Sequence, residues 1–141
     1  MTIRPFNESD RPFLRTLFLA ARRHSWTWLD DSEWQLEDFD QITFGEQILV
    51  AEEEGHRMGF ASVQPQDNFL HSLFVAPEYQ RSGAGSALLH TVQKGFTSTG
   101  ALKCLTKNLQ AQRFYQKHGW QVVARGESDQ GEYLLMHYVV N

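Results

Sequence analysis

Two glycines stand where an apolar segment gives way to an amphipathic one, and this arrangement can bind an anion. Residues 69–75 are predicted to form a strand, and Leu88 and Val92 recur at helical spacing. Gly83 and Gly85 lie between them, in the loop that leads into the helix. The first amides of a helix lack partners within it, and the helix dipole adds positive charge there. Such a loop is suited to a phosphate or pyrophosphate group.

Two common nucleotide-binding motifs do not fit this loop. A Walker A loop needs a lysine directly after its last glycine, and Ser86 follows Gly85. A dinucleotide fingerprint needs a small residue three places after Gly85, where Leu88 stands. On these residues alone, a tight turn that binds nothing remains an open alternative.

A second pattern follows the next predicted strand and lies on the helix after it. Its residues are Asn108-x-x-Ala111-x-x-x-Tyr115-x-x-x-Gly119-Trp120. This pattern resembles the second signature of the GNAT superfamily of N-acetyltransferases, and Gln80-x-x-Gly83-x-Gly85 resembles that family's pyrophosphate loop. The two patterns occur in the family's order and separation, each on the expected element. A GNAT acetyltransferase is therefore the predicted identity.

The resemblance implies that acetyl-coenzyme A is the cosubstrate, held by the glycine loop, by the strand before it and by the helix that carries the second signature. An asparagine cap is the alternative role for Asn108, and both roles can hold at once. The expected cosubstrate-binding residues are Leu73, Phe74, Val75, Gln80, Arg81, Ser82, Gly83, Ala84, Gly85, Ser86, Asn108 and Tyr115.

Two residues are candidates for proton transfer. Tyr115 matches the family's usual general acid, and a phenol can protonate a leaving thiolate without losing its own proton at neutral pH. Several family members use a glutamate as base, but Lys103 occupies the comparable position here. His71 is the best remaining candidate, because an imidazole can take up and release a proton near neutral pH; a partly buried, hydrogen-bonded histidine with no catalytic role is the alternative. Strand alternation predicts that His71 shares a face with Leu73 and Val75.

A tryptophan-rich segment is the candidate acceptor site. Trp26, Trp28 and Asp30 could hold a cationic amine, with His71 beside it. Core packing for the tryptophans and a solvated position for the acid remain the alternatives. The predicted reaction is direct acetyl transfer to a primary amine of a small molecule or peptide. A non-catalytic acyl-coenzyme A sensor is the rival interpretation.

Composition bears on the partners, the location and the metal content of the protein. The formal net charge of −4 argues against a general nucleic-acid binder, and no apolar run is long enough to span a membrane. Cys104 is the only cysteine, which favours the cytoplasm and rules out an internal disulfide bond. The scattered histidines predict no metal site. We expect a monomer or a homodimer.

The elements that must position these residues are predicted to form one domain over residues 1–141. Strands are expected near residues 2–6, 48–51, 58–63, 69–75, 101–106, 120–124 and 133–140. Ser9 or Asp10 is predicted to cap the first helix, a short second helix falls within residues 32–41, and Gly100 is predicted to end the third. The order favours an α/β (α+β) three-layer fold, with a mixed, mostly antiparallel sheet of six or seven strands.

Overall fold

The computed structural model describes residues 1–140, which form seven strands and four helices. The strands are β1 (Thr2–Pro5), β2 (Gln47–Glu53), β3 (His56–Gln64), β4 (Phe69–Val75), β5 (Gly100–Leu105), β6 (Gln121–Ser128) and β7 (Gly131–Tyr138). The helices are α1 (Arg11–Ser25), α2 (Asp38–Thr43), α3 (Ala84–Lys94) and α4 (Leu109–Lys117). No helix in these 140 residues is long and apolar enough to cross a membrane.

One sheet contains the seven strands in the order β1-β2-β3-β4-β5-β7-β6. Strands β4 and β5 run parallel, and each of the other neighbouring pairs is antiparallel. The long connection through α3 is what allows β4 and β5 to run in the same direction. The predicted mixed sheet with helices on both faces is confirmed.

Each face of the sheet has its own apolar core, because successive side chains of a strand point to opposite sides. Phe60 of β3 packs with Leu14 of α1 and Phe39 of α2, on what we call the α1/α2 face. The next residue, Ala61, lies in a cluster with Leu88 of α3 and side chains of α4, on the α3/α4 face. The two faces therefore present different sets of residues to any gap in the sheet.

The start of α1 is held by a buried charge cluster rather than by a simple cap. Asp10 occupies the cap position, but its side chain makes no cap bond, and Asn7 caps the short 3-10 turn before it. Both carboxylate oxygens of Asp10 accept from Arg4, at 2.7 and 2.8 Å, and Oδ1 also accepts from Arg57 at 2.7 Å. The Arg4 guanidinium holds the pKa of Asp10 well below its usual range.

The prediction that Gly100 ends the third helix is wrong. Helix α3 ends at Lys94, and Gly100 is the first residue of β5. A Cβ atom at Gly100 would lie 2.2 Å from the Phe96 ring, so the glycine lets the aromatic side chain pack against the strand. The second helix, Asp38–Thr43, begins within the predicted range and ends two residues beyond it, and residues 26–37 form turns and irregular structure.

The turn segment between α1 and α2 is held by Arg22. The guanidinium group of Arg22 lies 4.0 Å from the Phe18 ring centroid and 4.7 Å from that of Trp34, and it donates to Asp38. Because cation–π contacts strengthen when the cation is desolvated, this nearly buried arginine is an effective anchor. It fixes Trp34, whose ring in turn makes an edge contact with Trp26.

Candidate active site

Strands β4 and β5 pair only at the start of β4 and then separate. Their last parallel pair is Leu70 opposite Leu102, although β4 continues to Val75 alongside β3. From His71 onwards, the edge of β4 that faces β5 has no strand partner. Backbone groups without a partner are suited to hydrogen bonding with an extended ligand. We call this opening the fork.

The glycine loop presents free amides close to the fork. Arg81 and Gly83 adopt left-handed conformations, with φ angles of 67° and 93°. Within residues 1–140, the amides of Gly83, Gly85 and Ser86 donate to no backbone carbonyl group. Free amides at the start of α3, together with the helix dipole, form an anion site.

The fork and the loop open into one cleft with a volume of about 390 Å³. It brings together ten of the twelve predicted cosubstrate-binding residues, while Ser82 and Ala84 lie outside its lining. The lining residues are Ala21, Ser25, Trp26, Leu73, Phe74, Val75, Tyr79, Gln80, Arg81, Gly83, Gly85, Ser86, Asn108, Gln110, Ala111, Phe114, Tyr115 and Lys117.

Helix α4 places Asn108 and Tyr115 at this cleft. Asn108 caps the helix as predicted, because its Oδ1 accepts from the amide of Ala111 at 3.2 Å. The ring of Tyr115 packs against Trp120 and Phe114 with centroid distances of 6.0 and 5.3 Å. Burial raises the pKa of the Tyr115 phenol well above its usual value. The described residues supply no hydrogen-bond partner for its hydroxyl group, which is therefore free to bond within the cleft.

A β-bulge reverses the predicted orientation of His71. Ser62 pairs with Ser72 and the next residue, Val63, pairs with Leu70, so His71 is an extra residue in β4. Its Nδ1 lies 3.0 and 2.9 Å from the two carboxylate oxygens of Glu46, which also accepts from the Ser62 hydroxyl group. Because Ser62 points to the α1/α2 face with Phe60, His71 points there as well.

The predicted sharing of a face by His71, Leu73 and Val75 is therefore wrong. Leu73 and Val75 pack against the core of the α3/α4 face. Alternation holds only while one residue of a strand opposes one residue of its neighbour, and the extra residue breaks that rule.

Glu46 is a site residue that the sequence analysis missed. It lies between α2 and β2, and Gly45 before it has a left-handed φ of 74° that turns the chain. The one available signal is its position two residues before Ile48, which is buried on the α1/α2 face. By strand alternation, that spacing points the Glu46 side chain to the same face.

Of the predicted acceptor-binding residues, Trp26 alone lines the cleft. Its ring contacts Phe74 with a centroid distance of 5.6 Å, which places it beside the open part of β4. Trp28 and Asp30 are not among the lining residues. The Asp30 carboxylate instead accepts from the amide of Ser32, in a local turn. His71 also lies outside the lining, although it begins the unpaired part of β4.

Comparison with known proteins decides the family. Residues 11–120 match the acetyltransferase (GNAT) family, which is most of the chain. The chain belongs to this family. It is also 31% identical over 126 residues to the peptidyl-lysine N-acetyltransferase YiaC of Escherichia coli K12, an alignment that covers 86% of this chain and 84% of the relative.

Solved structures of other GNAT proteins have the same fold. An N-acetyltransferase from Rhodopseudomonas palustris superposes with a TM-score of 0.82 at 22% identity, covering 99% of this chain and 95% of that one. The PaiA N-acetyltransferase of Thermoplasma acidophilum, solved in complex with coenzyme A, superposes with a TM-score of 0.77 at 18% identity. That alignment covers 99% of this chain and 100% of the other.

This GNAT protein is an acetyl-coenzyme A-dependent acetyltransferase, and its described residues fit that cosubstrate. Free amides at the start of α3 suit the anionic end of coenzyme A, and the unpaired edge of β4 suits its amide-containing arm.

Lys103, which occupies the position of the glutamate base of other family members, is the first residue of β5 after the last pair with β4. Its Nζ lies 4.9 Å from the Tyr133 ring centroid, on the side opposite to the buried Leu102 and Cys104.

Proposed function

We propose that this acetyltransferase moves the acetyl group of acetyl-coenzyme A directly to a primary amine of a small molecule or peptide. The observation that carries the proposal is the single cleft that joins three features. These are the free amides at Gly83 and Gly85, the unpartnered hydroxyl group of Tyr115, and the exposed side of Trp26. No nucleophilic side chain is needed, because the amine itself attacks the thioester.

In this proposal the chain holds the cosubstrate mainly through its backbone. The free amides of Gly83, Gly85 and Ser86 bind the pyrophosphate, and the unpaired edge of β4 over residues 73–75 bonds the pantetheine arm. The NH2 group of the Asn108 side chain supplies a further donor, since its Oδ1 is already used as the helix cap. The hydrogen bonds to the anionic pyrophosphate are charge-assisted, and such bonds are stronger than those between neutral groups.

Tyr115 acts as the general acid in the proposal. Acetyl-coenzyme A supplies a thioester whose sulfur must accept a proton as it leaves. Because burial raises the pKa of the Tyr115 phenol, the group keeps its proton throughout the neutral range and is present as the protonated acid when the sulfur leaves. Its position within the cleft, with no competing hydrogen bond from the described residues, supports this role.

The acceptor enters from the α1/α2 face, beside Trp26. An aromatic face attracts an ammonium group, and the surrounding loop carries several acidic residues, including Asp30 and Asp31. A peptide lysine is the first acceptor to test, because the relative YiaC is named for that activity. We also propose a cytoplasmic location, with which the single buried thiol of Cys104 is compatible.

The deciding experiment combines calorimetric titration with acetyl-coenzyme A and a thiol-release assay. The acceptors are a lysine peptide with a blocked N-terminus, a peptide with a free N-terminus, and a polyamine. Binding with release that depends on one of these amines supports the proposal. Binding with no release on any amine supports an acyl-coenzyme A sensor instead, and no binding at about millimolar acetyl-coenzyme A contradicts both.

A matched pair of variants tests the acceptor side. Trp26→Ala should raise the KM for the amine severalfold while leaving the KM for acetyl-coenzyme A unchanged. Trp28→Ala should change neither value, since Trp28 does not line the cleft. Equal amine KM values for the two variants contradict the assignment of Trp26.

A further inference from the structure

Glu46 is a nearly buried carboxylate with few partners. Its side chain is only 3% exposed, and the amide of the same residue donates to the Thr43 carbonyl at 3.0 Å, which fixes the turn. A buried, ionised carboxylate loses its hydration, and hydrogen bonds or nearby charges must compensate for that loss. Among residues 1–140, the Glu46 side chain bonds only to the Ser62 hydroxyl group and to His71.

The contrast with Asp10 shows that this arrangement is unusual within the same chain. Asp10 is also buried, but two arginines surround it and both of its oxygens accept from guanidinium groups. That cluster has a complete structural role at the start of α1. Glu46 has no arginine or lysine partner among the described residues, and its only ionisable partner is an imidazole.

The contact fixes which nitrogen of His71 carries a proton. An ionised carboxylate can only accept hydrogen bonds, so Nδ1, which lies 2.9 Å from Oε2, must be the donor. In the neutral ring, Nε2 then holds the free lone pair. The described residues give Nε2 no hydrogen-bond partner, and the His71 side chain is 42% exposed. Its proton-accepting atom therefore remains available.

The location of His71 connects this pair to the reaction. His71 is the first β4 residue beyond the last parallel pair, so it stands at the base of the fork. Leu73, two residues further along, lines the cleft, which puts its Cα about 7 Å from that of His71. Lys103, the first residue of β5 beyond the fork, is the charged group on the neighbouring strand that faces the same side.

We propose that Glu46 is a positioning residue that holds His71 with Nε2 towards the acceptor amine, so that His71 removes the proton of the incoming ammonium group. This inference rests on the proposed function and adds to it the proton acceptor and its support. Glu46 touches neither substrate. It acts through His71, by fixing the tautomer of the ring and by stabilising the imidazolium that forms.

The proton balance closes with the groups already described. The ammonium group loses one proton to Nε2 of His71 and becomes a free amine. Its nitrogen then bonds to the acetyl carbonyl carbon as the carbon–sulfur bond breaks, and Tyr115 protonates the sulfur. The second proton lost by the nitrogen restores the Tyr115 phenol, and His71 releases its proton to solvent. The products are an N-acetyl amide and free coenzyme A thiol.

Glu46→Gln tests the proposal because it removes the charge and keeps the size of the side chain. With a blocked lysine peptide at about pH 7, we expect kcat/KM for the peptide to fall about ten- to hundredfold. The KM for acetyl-coenzyme A should be unchanged. The control Glu127→Gln removes a charge from an exposed position on β6 and should behave as wild type.

The dependence on pH separates proton removal from a structural role. A lysine amine has a pKa of about 10.4. Below that value, its free-base fraction increases about tenfold for each unit by which the pH is raised. The loss caused by Glu46→Gln should therefore shrink to a few-fold at about pH 9.5. Adding Glu46→Gln to His71→Gln should cost nothing further, because Glu46 acts only through that ring.

The outcomes distinguish a failure of the proposed function from a failure of the role proposed for Glu46. Wild-type protein that releases no thiol with any amine contradicts the proposed function. Wild-type turnover with an equally active Glu46→Gln variant, with a ratio that does not change with pH, or with additive losses contradicts only the role of Glu46. Independently of turnover, nitrogen NMR of the free protein at about pH 8.5 should show the Nδ1–H tautomer of His71, and the opposite tautomer overturns the proposal.

Discussion

Replacing Gly85 by alanine should stabilise the protein and weaken its cosubstrate binding at the same time. Gly85 lies in the first turn of α3, outside the left-handed conformations that favour glycine. A Cβ atom there would meet Phe114 at 3.5 Å and Val75 at 3.6 Å, which is ordinary van der Waals contact. The fold therefore has room for alanine, and we expect the ligand rather than the fold to require glycine here.

The two effects have opposite signs and can be estimated separately. Alanine is favoured over glycine in a helix by up to about 1 kcal/mol, which raises the Tm of a chain this size by about 3 °C. The added methyl group would contact Phe114 and Val75, which both line the cleft, and we expect it to hold a phosphate away from the free amides. Losing one hydrogen bond to a charged group costs about 1.5–3 kcal/mol, or about ten- to hundredfold in Kd.

Scanning calorimetry without ligand and titration with acetyl-coenzyme A measure the two effects. Gly83→Ala is the matched control, and its Tm should change in the opposite direction. Gly83 has a φ of 93°, and an added Cβ there would have nothing within 4 Å. Alanine in that conformation costs about 1–2 kcal/mol, so this variant should have a lower Tm. A Gly85→Ala variant that binds acetyl-coenzyme A as tightly as wild type would refute the close approach of ligand to this turn.

Three further predictions follow from buried groups. Tyr115→Phe should lower kcat at least about a hundredfold without changing the Kd for acetyl-coenzyme A, and an undiminished kcat in the thiol-release assay would remove Tyr115 as the acid. Burial raises the pKa of the Cys104 thiol to about 11 from its ordinary value of 9.0. Because the unfolded thiol ionises first, the free energy of unfolding should fall by up to about 1.4 kcal/mol per unit between about pH 9 and 11. Urea denaturation should show a shallower fall for Cys104→Ala, and equal slopes would contradict the assignment. Asp10→Ala leaves two arginines without their carboxylate and should cost about 3 kcal/mol by the same method, whereas a loss below about 1 kcal/mol would show that solvent replaces the contact.

Two features that depend on neighbours in the chain were predicted correctly from the sequence. The cap at Asn108 involves an amide three residues away, and the glycine loop lies between a strand and a helix that are both visible in the apolar pattern. Each of these requires only local geometry, for which residue type and spacing are sufficient. The cosubstrate-binding residues on these segments came from the resemblance to the family; ten of the twelve line one cleft, and their contacts with the cosubstrate stay a prediction.

Features that depend on distant partners were missed or misplaced. The orientation of His71 follows from the pairing of β4 with β3, where one extra residue breaks the alternation. Glu46 is 25 residues from His71 and resembles an ordinary turn acid in the sequence. Likewise, the sequence around Gly100 is typical of a helix end, but the glycine is needed there because the Phe96 ring leaves no room for a Cβ atom. No local pattern encodes such contacts, because they form only when the sheet assembles.

The opening between β4 and β5 has a chemical consequence beyond ligand binding. Tyr115 belongs to the α3/α4 face, while His71 and Glu46 belong to the α1/α2 face. A fully paired sheet would separate these groups by a continuous hydrogen-bonded layer. In the proposed reaction, however, the acceptor nitrogen loses a proton on one face while the sulfur gains one on the other. Groups on the two faces can act on one acetyl carbon only where the sheet is unpaired. The fork meets this condition, because it begins at His71, directly after the last pair at Leu70.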